Sequence, residues 1–264
     1  MIVGRRGTPH SSGPKDLPYP FLSAITRGPR GHRTRQIQDA IRAAIVNLAL
    51  PPGEFIRQSA ICARLRVSLG PVIEALDNLA AEGFVEIVPH RGTRVCRIDI
   101  TACRQAMLVR RALEGEAMRL LAPRADRRLI ARLEDNLRHQ DVAVKQADAT
   151  GFARRDFAFH DLLLSELGYR RVQGVVESAR AKLDRARDFL LREPERRLRN
   201  YLDHLAIVDA LKRHDAAAAQ RAMTRHIDTA MREIETRGAE NPEMFAPPSD
   251  IERVSERWQL RLVS

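Results

Sequence analysis

The sequence predicts a mainly α-helical chain in two parts, on three observations. Residues 33 to 98 hold three short apolar-periodic segments and then two alternating runs joined by a tight turn. Residues 101 to 237 hold six consecutive segments of helical period with no strand signal. The breaks between those six are short and fall at Pro123, Thr150-Gly151, Gly168-Tyr169, Glu193-Pro194 and His214-Asp215. The expected architecture is a small three-helix domain closed by a β-hairpin, followed by an antiparallel bundle of about six helices.

In the first part, Ile37, Ile41, Ile45 and Leu48 make a helix that stops at Pro51-Pro52-Gly53. A short second helix over Ser59 to Arg64 leads through a turn into a third. There Ser68 is the expected N-cap, Pro71 is tolerated in the first turn, and Val72, Leu76 and Leu79 form the stripe that ends at Glu82-Gly83. Phe84 to Val88 and Thr93 to Arg97 alternate as strands around the basic turn Pro89-His90-Arg91-Gly92. Helix, short helix, turn, third helix and hairpin is the order of a winged helix-turn-helix, which places its third helix in a DNA major groove.

Composition agrees with a DNA binder. The chain of 264 residues is long enough for two domains, and its formal net charge is +11. The excess is uneven: residues 1–98 hold 14 Lys and Arg against 7 Asp and Glu, the remainder 31 against 27. Cys62, Cys96 and Cys103 are scattered without metal-ligand spacing, which suits reduced thiols in a cytoplasmic protein. No apolar run reaches membrane-spanning length and no signal peptide stands at the start, so a membrane is not an expected partner. The expected divisions are a basic arm without fold over 1–30, the winged helix over 31–98, the helical domain over 99–237 and a C-terminal extension over 238–264. In that extension Ile251 to Leu262 reads as a weak final helix.

The first part resembles the GntR family of bacterial winged-helix regulators across residues 33 to 98. The resemblance is carried by Pro52-Gly53, Val67-Ser68, Pro71-Val72, Glu74-Ala75-Leu76, Leu79, Glu82-Gly83 and Gly92. The chain departs from the family in the third helix, where the usual Ser-Arg-Thr-Pro-Val-Arg-Glu-Ala-Leu run is Ser68-Leu69-Gly70-Pro71-Val72-Ile73-Glu74-Ala75-Leu76. Leu69 and Ile73 thus stand where family members present arginines to DNA, and Gln58 replaces a common acidic residue of the second helix. The expected DNA contacts are Gln58, Ser68 and Leu69 at the reading head and Arg91 and Arg94 on the wing.

In the second part, Phe152, Phe159, Leu163 and Leu167 form an apolar stripe on the third bundle helix, and Asp156 and His160 lie within it, four residues apart. A carboxylate facing a core needs something positive beside it. His204 shares a face with Tyr201, Val208 and Leu211, and His226 with Ala219, Ala222, Met223 and Ala230. A single histidine on such a stripe is ordinarily a satisfied core residue. One Asp and three His converging from three helices suit a divalent transition metal with positions left open, zinc first, with nickel and manganese served by the same donors.

The bundle is similar to the FCD ligand-binding domain over residues 101 to 236. The matching points are Arg110-x-x-Leu113-Glu114, Asp156-x-x-Phe159-His160, His204 with Ile207 and Ala210-Leu211, and His226. The resemblance implies a metal on Asp156, His160, His204 and His226, and a carboxylate effector held by Arg110. Two alternatives stay open here: Arg111 as the effector arginine, and a buried Arg110–Glu114 ion pair with no effector role.

The whole reads as a homodimeric, ligand-responsive transcription regulator, with an operator duplex and a small carboxylate as partners. No Gly-rich phosphate loop, Ser-His-Asp order or paired catalytic carboxylates stand out, so no enzyme is expected. A metal-dependent enzyme acting on a small organic acid is the alternative, weakened by the lack of a Glu placed as an obvious base beside the four ligands. A regulator with degenerate DNA specificity is another, motivated by Leu69 and Ile73.

Overall fold

The computed structural model describes residues 18–22 and 30–246. The chain divides after Cys96 into two compact units, each with its own apolar core. The first comprises α1 (Arg30–Val46), β1 (Phe55–Ile56), α2 (Gln58–Leu65), α3 (Leu69–Ala81), β2 (Val85–Val88) and β3 (Gly92–Val95). Ile37, Ile41 and Ile45 of α1 are buried with Val72, Leu76 and Leu79 of α3 as the two helices pack together. β2 and β3 pair antiparallel from Val85↔Val95 to Val88↔Gly92, and the turn between them needs Gly92, whose φ of 103° L side chains rarely adopt. β1 adds a third strand on the far side of β3. At two residues it is too short for any alternation to announce it.

Residues 18–22 overturn part of the expected arm. Tyr19 and Leu22 are buried in the first unit's core. The Arg57 amide donates to the Tyr19 hydroxyl at 2.9 Å, and the Arg64 guanidinium donates to the carbonyls of Pro20 and Leu22. Two apolar residues between prolines carry no periodicity, so composition alone read the segment as unstructured.

The second unit comprises β4 (Ile98–Asp99), α4 (Ile100–Leu121), a single 3-10 turn at Ala122–Arg124, α5 (Arg127–Lys145), α6 (Ala149–Glu166), α7 (Arg170–Leu191), α8 (Pro194–Lys212), α9 (Ala216–Glu240) and β5 (Phe245–Ala246). The helix starts have a shared cause. Asp99, Asp126, Asp148 and Asp215 each cap a helix, accepting from the backbone N–H of Ala102, Leu129, Gly151 and Ala218, and Pro194 opens α8. Each cap contributes about 1 kcal/mol. A Cβ at Gly151 would sit 2.0 Å from the Asp148 carboxylate, so a larger residue there would displace the capping oxygen.

α4 runs through the bundle against α9, α7 and α6. The second unit also holds a strand pair that the sequence did not lead one to expect. β4 and β5 pair in parallel, Ile98↔Phe245 and Asp99↔Ala246, with Phe245 buried edge-on against Phe189. α9 continues to Glu240, so Gly238 lies inside the helix and packs on Ile100, where the sequence placed the start of the extension. The final helix expected over Ile251 to Leu262, and most of the basic arm, lie outside the described residues.

Candidate metal centre and nucleic-acid interface

Asp156 and His160 occupy successive turns of α6, His204 projects from α8 and His226 from α9, and all four side chains are buried. One ligand atom from each lies within 4.8 Å of the others. The imidazoles are held from behind. His160 Nδ1 lies 2.5 Å from a Glu114 oxygen, His204 Nδ1 2.8 Å from Gln140 Oε1, and His226 Nδ1 3.3 Å from Asp203 Oδ2. An acceptor at each Nδ1 fixes that nitrogen as the protonated one, leaving Nε2 with its lone pair free to bind. Phe159 stacks on His204 with ring centroids 4.1 Å apart and holds the ring's plane.

The His204 Nε2 is buried without a hydrogen-bond partner, 3.7 Å from Asp156 Oδ1. A buried lone pair left unmatched costs about 1–3 kcal/mol, which a divalent ion would recover. The protonation states point the same way. Burial pushes the His160 imidazole down to about 4 against the pull of Glu114, and burial and His226 push His204 well below its ordinary range. Burial would raise the Asp156 carboxyl, but His160 and Arg187 hold it below the usual carboxylate range, so it is ionised. Three imidazoles anchored at Nδ1, with His160 and His204 held neutral by burial, and one carboxylate fit a transition metal.

Arg110, on α4, is buried beside this cluster. Its Nε donates to Glu114 at 2.6 Å and its Nη2 lies 3.5 Å from His160 Nε2. The Arg110–Glu114 ion pair therefore exists, and Arg110 also lines a cavity of about 30 Å³ with Asp156, His160, His226, Arg187 and Asn200. Arg111 faces outward in a surface ion pair with Asp228. Among the described residues no Glu is placed as a base beside the ligands, although Glu114 is bonded to His160. Its two oxygens are taken by Arg110 and His160, so it orients the imidazole and is not placed as a base. Glu114, Gln140 and Asp203 were not anticipated as supports, nor were Arg187 and Asn200 as cavity residues. Gln140 gave a signal: it is a buried amide one turn from Asn136, to which it donates at 2.7 Å.

In the first unit the five expected DNA residues fall into two groups. Leu69 and Ser68 are exposed at the start of α3, where Ser68 has the extended backbone of an N-cap but its hydroxyl makes no capping bond. Gln58 is half-buried, its amide donating to Thr93 of the wing at 3.4 Å. On the wing, Arg91 is exposed over the Phe55 ring, whereas Arg94 is committed to Glu86 across the hairpin at 2.8 Å. Arg57 and Arg66, both exposed beside α2, are cations that the sequence did not single out.

Family models match both units: "Bacterial regulatory proteins, gntR family" over residues 33–95 and "FCD domain" over residues 105–229. The HTH-type transcriptional repressor RspR of Escherichia coli is 30% identical over 215 residues, covering 80% of this chain and 93% of that protein. The chain belongs to the GntR family. An uncharacterised HTH-type transcriptional regulator in an unstable DNA locus of Streptomyces ambofaciens is 33% identical over 80% of this chain and 89% of its own length. The fold agrees: a GntR transcriptional regulator from Rhodococcus sp. RHA1 superposes with a TM-score of 0.64 at 22% identity, over 77% of this chain and 98% of that one. This GntR protein is a DNA-binding transcription regulator with an FCD domain, and not an enzyme. No helix among its described residues is long and apolar enough to cross a membrane.

Proposed function

We propose that this regulator senses a small carboxylate through a divalent metal held by Asp156, His160, His204 and His226. The observation that carries this reading is the convergence of four buried donors within 4.8 Å, each imidazole anchored at Nδ1 and one Nε2 left unmatched. An ion bound there, zinc first with nickel or manganese as alternatives, supplies open positions for carboxylate oxygens. Arg110, fixed at Nε by Glu114, presents the outer edge of its guanidinium to the cavity and binds the acid by charge-assisted hydrogen bonds.

The active species is a cytoplasmic homodimer on a two-fold related operator, with α3 in the major groove and the wing on the backbone. It acts as a repressor, the direction given in the names of RspR and of the gluconate operon transcriptional repressor of Bacillus subtilis. The effector changes DNA affinity only by preferring one state of the dimer, and DNA must then change effector affinity by the same factor. The deciding experiment is metal analysis of purified protein. Close to one divalent ion per chain is expected, with sharp loss in His204→Ala; occupancy indifferent to that substitution sinks the assignment.

A further inference from the structure

The outward face of α3 consists of Leu69, Gly70, Ile73, Glu74, Asp77 and Asn78. Two of its polar groups are drawn toward α1: Glu74 accepts from the Thr34 hydroxyl at 3.1 Å, and the Asn78 amide donates to Gln38 at 3.2 Å. Leu69, Ile73 and the carboxylate of Asp77 remain; Leu69 and Ile73 are 49% and 40% exposed and one turn apart. The helix carries neither Lys nor Arg. Without those cations it lacks the bidentate guanine contact, the commonest one in direct readout.

The surroundings nonetheless belong to a DNA surface. Arg57 and Arg66 lie exposed on either side of α2, Arg91 stands on the wing, and residues 1–98 carry 14 basic against 7 acidic residues. A duplex major groove offers one apolar group, the thymine C5 methyl. We propose that α3 reads its operator through thymine methyls contacted by Leu69 and Ile73, while the flanking arginines hold phosphates. Residues i and i+4 are about 6 Å apart along a helix, close to two base-pair steps of about 3.4 Å, so each half-site carries a pair of thymines one or two steps apart. The proposal rests on DNA binding by the winged helix and is independent of the metal and effector.

Deoxyuridine isolates the contact, since it differs from thymidine only by that methyl. Full-length protein is used to select duplexes from two random libraries, one made with dTTP and one with dUTP. The dTTP library yields sequences with thymines at fixed positions, and those positions lose their bias in the dUTP library. Remaking the best duplex with deoxyuridine there weakens binding about fourfold per methyl, the burial of one carbon. Leu69→Ala with Ile73→Ala, both on exposed positions, brings the thymine-to-uracil affinity ratio to about one. Equal affinity for the thymine and uracil duplexes in the unmodified protein overturns the proposal, with or without a folded variant. So does a uracil penalty that survives the double substitution, or the absence of any enriched sequence in either library.

Discussion

Glu114 holds His160 by Nδ1 at 2.5 Å while its other oxygen takes the Nε of Arg110 at 2.6 Å, so one buried carboxylate orients both an imidazole of the four-residue cluster and the guanidinium beside it. Arg110 and His160 keep the Glu114 carboxyl ionised, well below its usual range, although burial opposes them. Glu114→Gln keeps the shape and removes the charge. Zinc affinity measured by chelator competition should fall about 10- to 100-fold, the usual effect of losing a ligand's support. Unchanged affinity would show that the imidazole orients itself.

Arg110→Ala should abolish thermal stabilisation by a small di- or hydroxycarboxylate while metal content persists. It should also destabilise the effector-free protein by about 3–5 kcal/mol, because Glu114 is left buried without its guanidinium. Arg111→Ala removes only a surface pair with Asp228 and should change stability by less than about 1 kcal/mol. Denaturant titrations of both variants with and without the acid test this, and loss of the acid's effect in Arg111→Ala alone would reverse the assignment.

Acid should weaken the metal-free protein before its surface carboxylates titrate. His160 falls from an ordinary 6.5 to about 4 in the fold, so between those values the unfolded chain binds a proton that the folded one refuses. Stability therefore drops as pH falls from 6.5, by roughly 2 kcal/mol at pH 4.5 from this group alone. His204, depressed in the same direction, adds to it, and the lowered carboxyl of Glu114 adds more below its ordinary 4.5. Urea midpoints at pH 7, 5.5 and 4.5 in chelator check this; a flat profile means the imidazoles are solvated.

The wing arginines should not be equivalent. Arg94 is tied to Glu86, whereas Arg91 is exposed, so Arg91→Ala should weaken binding across most duplexes and lower the salt slope by about one. Arg94→Ala should do less. Binding isotherms at two salt concentrations decide, and the reverse order would place the hairpin's opposite face on the backbone.

Periodic features were legible in the sequence. Ile37, Ile41 and Ile45 announce α1 and the His214-Asp215 break falls at the start of α9, but Thr150-Gly151, expected as a break, lie in the first turn of α6 behind the Asp148 cap, because a capping side chain leaves no periodic signal. Asp156 and His160 were visible because polar groups in an apolar stripe demand partners. Partner choice was not: Glu114 and His160 are 46 residues apart, and no periodicity says which helix faces which. The two-residue strands β1, β4 and β5 leave no pattern. The Glu86–Arg94 pair was within reach, since the hairpin register sets these two residues opposite each other.

α9 carries His226 near its middle, and Gly238 lies about 18 Å further along the helix, packed so close to Ile100 that a Cβ there would lie 2.7 Å from its terminal methyl. Just beyond it Phe245 is bonded edge to edge with Ile98, two residues after Cys96 ends the DNA-reading unit. The helix is thus anchored, through the turn after it, to the short strand that opens the second unit. An axial slip of α9 at His226 would load the Ile98–Phe245 pairing at its other end.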